Sequence, residues 1–173
     1  VEVHQVNSGS TDIVFGLALE AVTTAAKPYT PRAANSVAQS LPALPLVWLN
    51  EAQPNNVSGA QDRFGDRDPW VELHNSGTTA ADLTGYYLSD TYTNLTKWPF
   101  PDATSLASGG FRLVWCDNEP GETGSGELHS SFRLSSTGGS VVLTKVSGSV
   151  TTIVDYLNYP AINVDQAYGA FPD

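Results

Sequence analysis

Between Trp70 and Cys116 the chain reads WVELHNSG, ADLTGYYLSD, KWPFPD and LASGGFRLVWC, a succession of short apolar runs closed by turn residues. Trp70 to His74 alternate in side-chain direction before Asn75-Ser76-Gly77 breaks the run. Thr84-Gly85 turns the chain into Tyr86-Tyr87-Leu88, and Ser108-Gly109-Gly110 turns it into Phe111–Cys116. Such runs, rich in aromatic and β-branched residues and punctuated by Gly, Asn, Asp and Ser, are the signature of an antiparallel sandwich or barrel. No helix is evident, so the predicted class is all-β. The predicted strands are Leu46–Ala52, Trp70–Asn75, Gly85–Leu88, Lys97–Phe100, Phe111–Cys116, Ser140–Val146 and Thr151–Tyr156, with Ser130–Leu134 as a further short edge strand. Gly138-Gly139 and Ser147-Gly148 are the clearest tight turns.

Length and composition bound what this can be. The 173 residues suffice for one sandwich of about 100 residues plus extra segments. At 40% hydrophobic, with 4 Trp, 7 Tyr and 6 Phe, the chain can fill a core. No apolar run approaches the ~20 residues that span a bilayer, so no membrane insertion is expected. The formal net charge of -10 leaves five Arg and three Lys, scattered singly, against 18 Asp+Glu. A DNA backbone requires clustered cations that replace condensed counterions, and this counts against a nucleic-acid partner. Acidity with few Lys suits an extracellular or cell-surface setting, where repulsion keeps the protein dispersed. The start at Val1 and the absence of Met lead us to expect a fragment of a longer chain.

The order and wording of the blocks resemble the lamin tail domain, bacterial type. Val47-Trp48-Leu49-Asn50-Glu51-Ala52 is similar to that family's hydrophobic-Asn-Glu first strand. Asp68-Pro69-Trp70-Val71-Glu72-Leu73-His74-Asn75 and Asp82-Leu83-Thr84-Gly85-Tyr86-Tyr87-Leu88-Ser89-Asp90 resemble its next two blocks, with Tyr86 where Trp is usual. Trp98-Pro99-Phe100-Pro101, Leu106–Trp115, Leu128–Ser135 and Gly138–Leu143 continue the match. Asp155 and Tyr168–Asp173 close it, with Ala170 where Arg is usual. The resemblance implies an immunoglobulin-like antiparallel β-sandwich over residues 46–173. No heptad segment of the kind that makes a lamin rod is present.

Upstream, Val1–Val6 and Asp12–Val22 alternate around Asn7-Ser8-Gly9-Ser10, which predicts a β-hairpin over residues 1–22. An isolated hairpin is marginal in water. Its wording resembles the last two strands of a galactose-binding-like jelly roll, a remnant of a preceding β-sandwich domain. Its apolar face predicts packing on the sandwich, or self-association with a neighbouring copy, by edge-strand addition. Residues 23–45, with Pro28, Pro31, Pro42 and Pro45 among Ala, Ser and Thr, read as an extended Pro/Ala-rich linker.

Chemistry-bearing residues are sparse. One cysteine, Cys116, excludes an internal disulfide and sits in a strand as a small core residue. His4, His74 and His129 are expected at surfaces or strand ends, and no Ser lies in a nucleophile elbow. Asp62, Asp66 and Asp68 around Gly65 are the calcium candidates, because alternating oxygen ligands about a glycine can wrap a hard cation. Arg63 and Arg67 can instead neutralise them, and the twelfth position holds Leu73 where an EF-hand needs Glu. No cofactor is otherwise implied. An enzyme would need Glu51, Glu72 and His74 to converge in a cleft; mid-strand Glu is more simply a structural clamp. Trp48, Trp70, Trp98 and Trp115 occupy period-two strand positions where the core is the default. Trp98, in its Pro-flanked corner, is the one expected to be partly exposed. Asn56-Val57-Ser58 and Asn94-Leu95-Thr96 fit the glycosylation pattern.

These readings lead to a non-enzymatic structural or interaction module of a secreted or surface-attached multidomain bacterial protein. It would serve adhesion, targeting or domain spacing by binding a protein, a glycan or a cell-envelope component. The alternative is a carbohydrate-binding module accompanying a hydrolase, with ligand-binding Trp98, Tyr92 and Tyr87 as a row of exposed, coplanar rings.

Overall fold

The structure, a computed structural model, describes residues 2–6, 14–18 and 46–169. The chain divides into two compact units, Val1–Ala43 and Leu44–Asp173. In the first, strands β1 (Glu2–Val6) and β2 (Val14–Ala18) pair antiparallel, with His4 opposite Gly16. The predicted linker over 23–45 lies outside the described residues, as do the last four residues of the predicted domain.

The second unit is the sandwich. Its strands are β3 (Val47–Gln53), β4 (Trp70–Asn75), β5 (Ala81–Asp82), β6 (Tyr86–Ser89), β7 (Trp98–Pro99), β8 (Ser105–Leu106), β9 (Phe111–Trp115), β10 (Gly139–Ser147), β11 (Val150–Tyr159) and β12 (Tyr168–Gly169). One sheet runs β11-β10-β6-β7 and the other β12-β3-β4-β9, all pairs antiparallel. β5 and β8 form a separate two-stranded ribbon. β10 and β11 are joined by the two-residue turn Gly148-Ser149. Gly148 takes φ +60° there, which suits the right-handed twist of a hairpin. Pro99 lacks an N–H and sits on the outermost strand of its sheet, where a missing ladder donor costs least.

Each predicted central strand forms, within a residue or three of its bounds. Ser130–Leu134 does not. It makes only the isolated bridges Trp115–His129 and Asp117–Arg133 at its margins, because Ser130 Oγ bonds the Phe132 carbonyl and curls the segment.

Apolar side chains from both sheets meet between them: Val47, Leu49, Ala52, Val71, Leu73 and Val114 from one, and Leu88, Trp98, Val141 and Leu143 from the other. A bulge at Asn50 makes this possible. Register shifts between Leu49 and Glu51, so Leu49 and Ala52 both reach the core although three residues apart. Asn75 is fully buried at the end of β4. Its Nδ2 donates to the carbonyls of Thr79, Leu106 and Ala107, and its Oδ1 accepts from the Gly77 N–H.

Candidate functional site

The outward face of β3, β4 and β9 collects most of the chemistry-bearing side chains. Strand alternation turns Trp70, Glu72 and His74 away from the core while Val71, Leu73 and Asn75 face it. Register then sets Trp48, His74 and Phe111 in one row across the strands. Glu51, Glu72 and Leu113 form a second row, and Gln53, Trp70 and Trp115 a third. In the first row His74 stacks on Phe111, while Trp48 meets His74 tilted at 60°. Ring centroids lie 5.3 Å apart for Trp48–His74 and 4.5 Å for His74–Phe111, the latter with planes only 23° apart. His74 and Phe111, stacked at close to the interstrand distance, present rims rather than a flat platform. In the second row Glu72 Oε1 accepts from Asn50 Nδ2 at 2.9 Å.

β9 ends its sheet, and its backbone shows which way its polar groups point. Asn75 N–H donates to the Gly110 carbonyl and Cys116 N–H to the Pro69 carbonyl. Alternation along an antiparallel pair therefore turns the N–H and C=O of Phe111, Leu113 and Trp115 away from β4. Trp115 uses both: its N–H donates to Leu128 O at 2.8 Å and its C=O accepts from Ser130 N–H at 2.8 Å. Among the described residues nothing pairs with the outward groups of Phe111 and Leu113. Beside them opens a pocket of about 380 Å³, walled by Phe111, Leu113 and Trp115 on one side and by Ala60, Gln61 and Glu127 on the other.

A buried polar cluster lies behind that second wall. His129 is fully buried, and its Nδ1 lies 2.5 Å from Asp117 Oδ2. Thr123 Oγ1 accepts from the His129 N–H at 2.9 Å, fixing the loop around it. Asp62 Oδ1 accepts from the backbone N–H groups of Phe64 and Asp66, which folds the loop back on itself. Arg63 joins the two loops, donating from its backbone to Glu127 Oε2 and from its guanidinium to the Glu122 carbonyl. Desolvation, with Glu119 nearby, holds the Glu122 carboxyl above its ordinary range.

The lamin tail domain family model matches residues 43–160. The chain belongs to the lamin tail domain family. That family is one of non-enzymatic, immunoglobulin-like interaction modules, in keeping with the two-sheet sandwich. No curated protein matches the chain.

Against this lamin tail domain the expected site residues fall unevenly. Trp98 is buried, 5% exposed, with its ring 4.9 Å from that of Phe100; this corrects the expected exposure, since the corner folds inward against the core. Tyr92 is exposed, but its ring meets Tyr156 edge-on at 68°, and Tyr87 is half-buried on β6. No coplanar row of Trp98, Tyr92 and Tyr87 forms. Trp70 and Trp48 are half-buried on the outer face rather than in the core, because alternation commits the inner face to their neighbours. His129 is a core residue, not a surface one. Cys116 is fully buried, and burial pushes its thiol pKa up.

Asp62, Asp66 and Asp68 do not converge. Asp62 joins Glu122 and His129, Asp66 is exposed, and Asp68 Oδ1 pairs with Arg133 Nη1 at 2.6 Å. Glu51, Glu72 and His74 do share a face, with Glu51 opposite Glu72 and His74 one row away between Trp48 and Phe111. Asn56 is buried and donates to the Ala60 and Asp68 carbonyls, while Asn94 is exposed. His4 is a residue of β1 in the separate N-terminal unit. Sequence reasoning missed the Asp117–Glu122–Glu127–His129 stretch. Its only signal was a lone His in the loop DNEPGETGSGELH, dense in acids. No helix among the described residues is long and apolar enough to cross a membrane.

Proposed function

We propose that this lamin tail domain is a non-enzymatic module that docks an extended peptide segment of a partner protein along the outer edge of β9. One observation carries this reading: the outward N–H and C=O groups of Phe111 and Leu113 have no partner among the described residues and open beside the pocket. An edge with free main-chain groups is a template for strand addition, and a neighbouring pocket takes one side chain of the added strand. The segment 128–130 already uses the adjoining Trp115 groups in this way, so an incoming strand extends an existing line of pairing. Phe111, 46% exposed, supplies apolar surface to it.

The module serves adhesion, targeting or domain spacing in a secreted or surface-attached multidomain bacterial protein. The net charge of -10 with only eight Lys+Arg supports that setting. The carbohydrate-binding alternative loses its expected platform, since Trp98 is buried and Tyr92 meets Tyr156 edge-on.

Selection from a random peptide library, followed by binding to the Leu113→Pro variant, tests the reading. Proline at Leu113 removes an outward N–H and leaves the ladder to β4 intact, a substitution edge strands tolerate. Selected peptides should protect the Leu113 amide from exchange and lose at least tenfold in affinity in the variant. Peptides that bind equally to both proteins sink the proposal.

A further inference from the structure

We propose that Asp62, Glu122 and His129 form a binding site for a first-row divalent cation of the zinc class. One ligand atom from each lies within 4.8 Å of the others, although the residues come from two loops sixty residues apart. Proximity of carboxylates alone would mean little. The second observation is that Asp62 Oδ2, Glu122 Oε2 and His129 Nε2 are all buried and all without a hydrogen-bond partner among the described residues. His129 is 0% and Asp62 7% exposed, so water does not serve them freely. Unpaired polar atoms in such places are costly and call for an explanation.

The chemistry of the three atoms narrows that explanation. Asp117 Oδ2, 2.5 Å from Nδ1, is placed to accept a hydrogen bond from that nitrogen, while Asp117 Oδ1 accepts from the Glu119 N–H at 2.9 Å. In the tautomer that carries its proton on Nδ1, Nε2 presents a lone pair. Its nearest charged neighbour, Glu127 Oε2, stands 3.7 Å away, too far for a hydrogen bond and of the wrong kind to donate one. Asp62 Oδ2, Glu122 Oε2 and His129 Nε2 are then three acceptors with no donor bonded to any of them among the described residues, Glu122 Oε2 lying on the Nδ1 side of the ring, 3.8 Å from that nitrogen. Two carboxylates in that arrangement repel, and a cation satisfies both together with the nitrogen. A carboxylate holding the far nitrogen of a ligating histidine is the arrangement that orients metal-bound imidazole and raises its basicity.

The donor set of one nitrogen and two carboxylates selects the metal class. Calcium and magnesium prefer oxygen alone, whereas imidazole suits zinc and its neighbours. Ligand atoms around zinc stand about 3.3 Å apart, and Glu122 Oε2 lies on the Nδ1 side of the ring, so closing the site on Nε2 takes a side-chain movement. Glu122 supplies it, ending the short 3-10 turn Pro120–Glu122 with a side chain 30% exposed. Glu127 flanks the site as a further carboxylate. Binding would fasten the Asp62 loop to the loop carrying His129, which together make the outer wall of the pocket beside β9.

Calorimetric titration of the 173-residue chain with Zn²⁺ and, separately, Ca²⁺ tests this. We expect one Zn²⁺ per chain, a melting temperature raised by Zn²⁺ but not Ca²⁺, and at least a tenfold loss of Zn²⁺ affinity in Glu122→Gln. Asp117→Asn should weaken binding by about 10- to 100-fold without removing a ligand. His74→Ala should leave it unchanged. Because His129→Ala empties a fully buried position, long-range ¹H–¹⁵N spectra of the unaltered protein supply the independent readout. Zn²⁺ should shift Nε2 of His129 while Nδ1 keeps its proton. Absence of Zn²⁺ binding, full affinity in Glu122→Gln, a response at His4 or His74 instead, or a His129 protonated on both nitrogens and indifferent to Zn²⁺ each overturns the proposal.

Discussion

The backbone N–H of Leu49 donates to Asp155 Oδ2 at 2.9 Å, joining residues 106 apart in sequence and on opposite sheets of the sandwich. Leu49 immediately precedes the bulged Asn50, where the β3 ladder is interrupted. A bulge leaves backbone groups that the neighbouring strand does not serve. Asp155 serves one of them from β11, and its other oxygen accepts from the Tyr156 N–H at 2.8 Å. The carboxylate thus stabilises the irregularity that lets Leu49 and Ala52 share the core.

Asp155→Ala should therefore cost about 1–3 kcal/mol, the penalty of leaving a largely buried N–H without its charged acceptor. Amide exchange supplies the specific check. The Leu49 amide should lose protection by more than the global change in stability accounts for. Unaltered protection at Leu49 would show that the bulge is held by its own ladder.

Trp70 and Leu73 should respond in opposite measure to their size. Leu73 is fully buried, so Leu73→Ala should cost about 3–5 kcal/mol. Trp70 is half-buried on the outer face, so Trp70→Ala should cost only about 1–2 kcal/mol despite removing the larger side chain. Urea unfolding of the two variants decides the order. Reversal would mean that the inner and outer faces of β4 are exchanged.

Alkaline stability should depend on Tyr159. Burial raises its phenol from the ordinary value of 10.0 to about 12, with its proton held more tightly in the folded chain. A raised pKa contributes stability that is complete below the unfolded value and lost as pH rises through the folded one. Stability should thus decline between about pH 10 and 12, and Tyr159→Phe should flatten that decline. The buried Cys116 thiol, also raised, adds a loss that begins lower, near its ordinary value of 9.0. Melting temperature against pH for Tyr159→Phe and Cys116→Ala separates the two.

Gly169 in β12 crosses β3 at Glu51 so closely that a Cβ there would drive into the Asn50 carbonyl and lie 2.7 Å from Glu51 Cα. Backbone on both sides leaves nothing flexible to yield. Gly169→Ala should displace β12 while the other strands keep their pairing, seen as faster amide exchange confined to β12 and its partner residues in β3. Unchanged exchange along β12 would rule out the close crossing.

Much of this molecule is legible without coordinates, and the boundary of what is not has a physical cause. Alternation and turn residues placed Trp70–Asn75 to the residue and found the ends of β9 and β10 to within one residue, because those signals are local, while β11 runs three residues past its expected end. The short pieces β5, β8 and β12 carry two residues each and no period, so they escape any local reading. Tryptophan misled it: size suggested that Trp70 is core, whereas Val71 and Leu73 hold the inner positions. Either assignment satisfies a period of two.

What the sequence by itself determined is the class, the strands, the turns and the family, since each rests on contacts among neighbours in the chain. Only the tertiary structure decided which face of β4 is inside and that Trp98 is buried. It alone turned the free edge of Phe111 and Leu113 outward. It also brought Asp62 away from Asp66 and Asp68 to join Glu122 and His129. Those outcomes depend on register, on one bulged residue and on loops packed across sixty positions, and no local pattern encodes them.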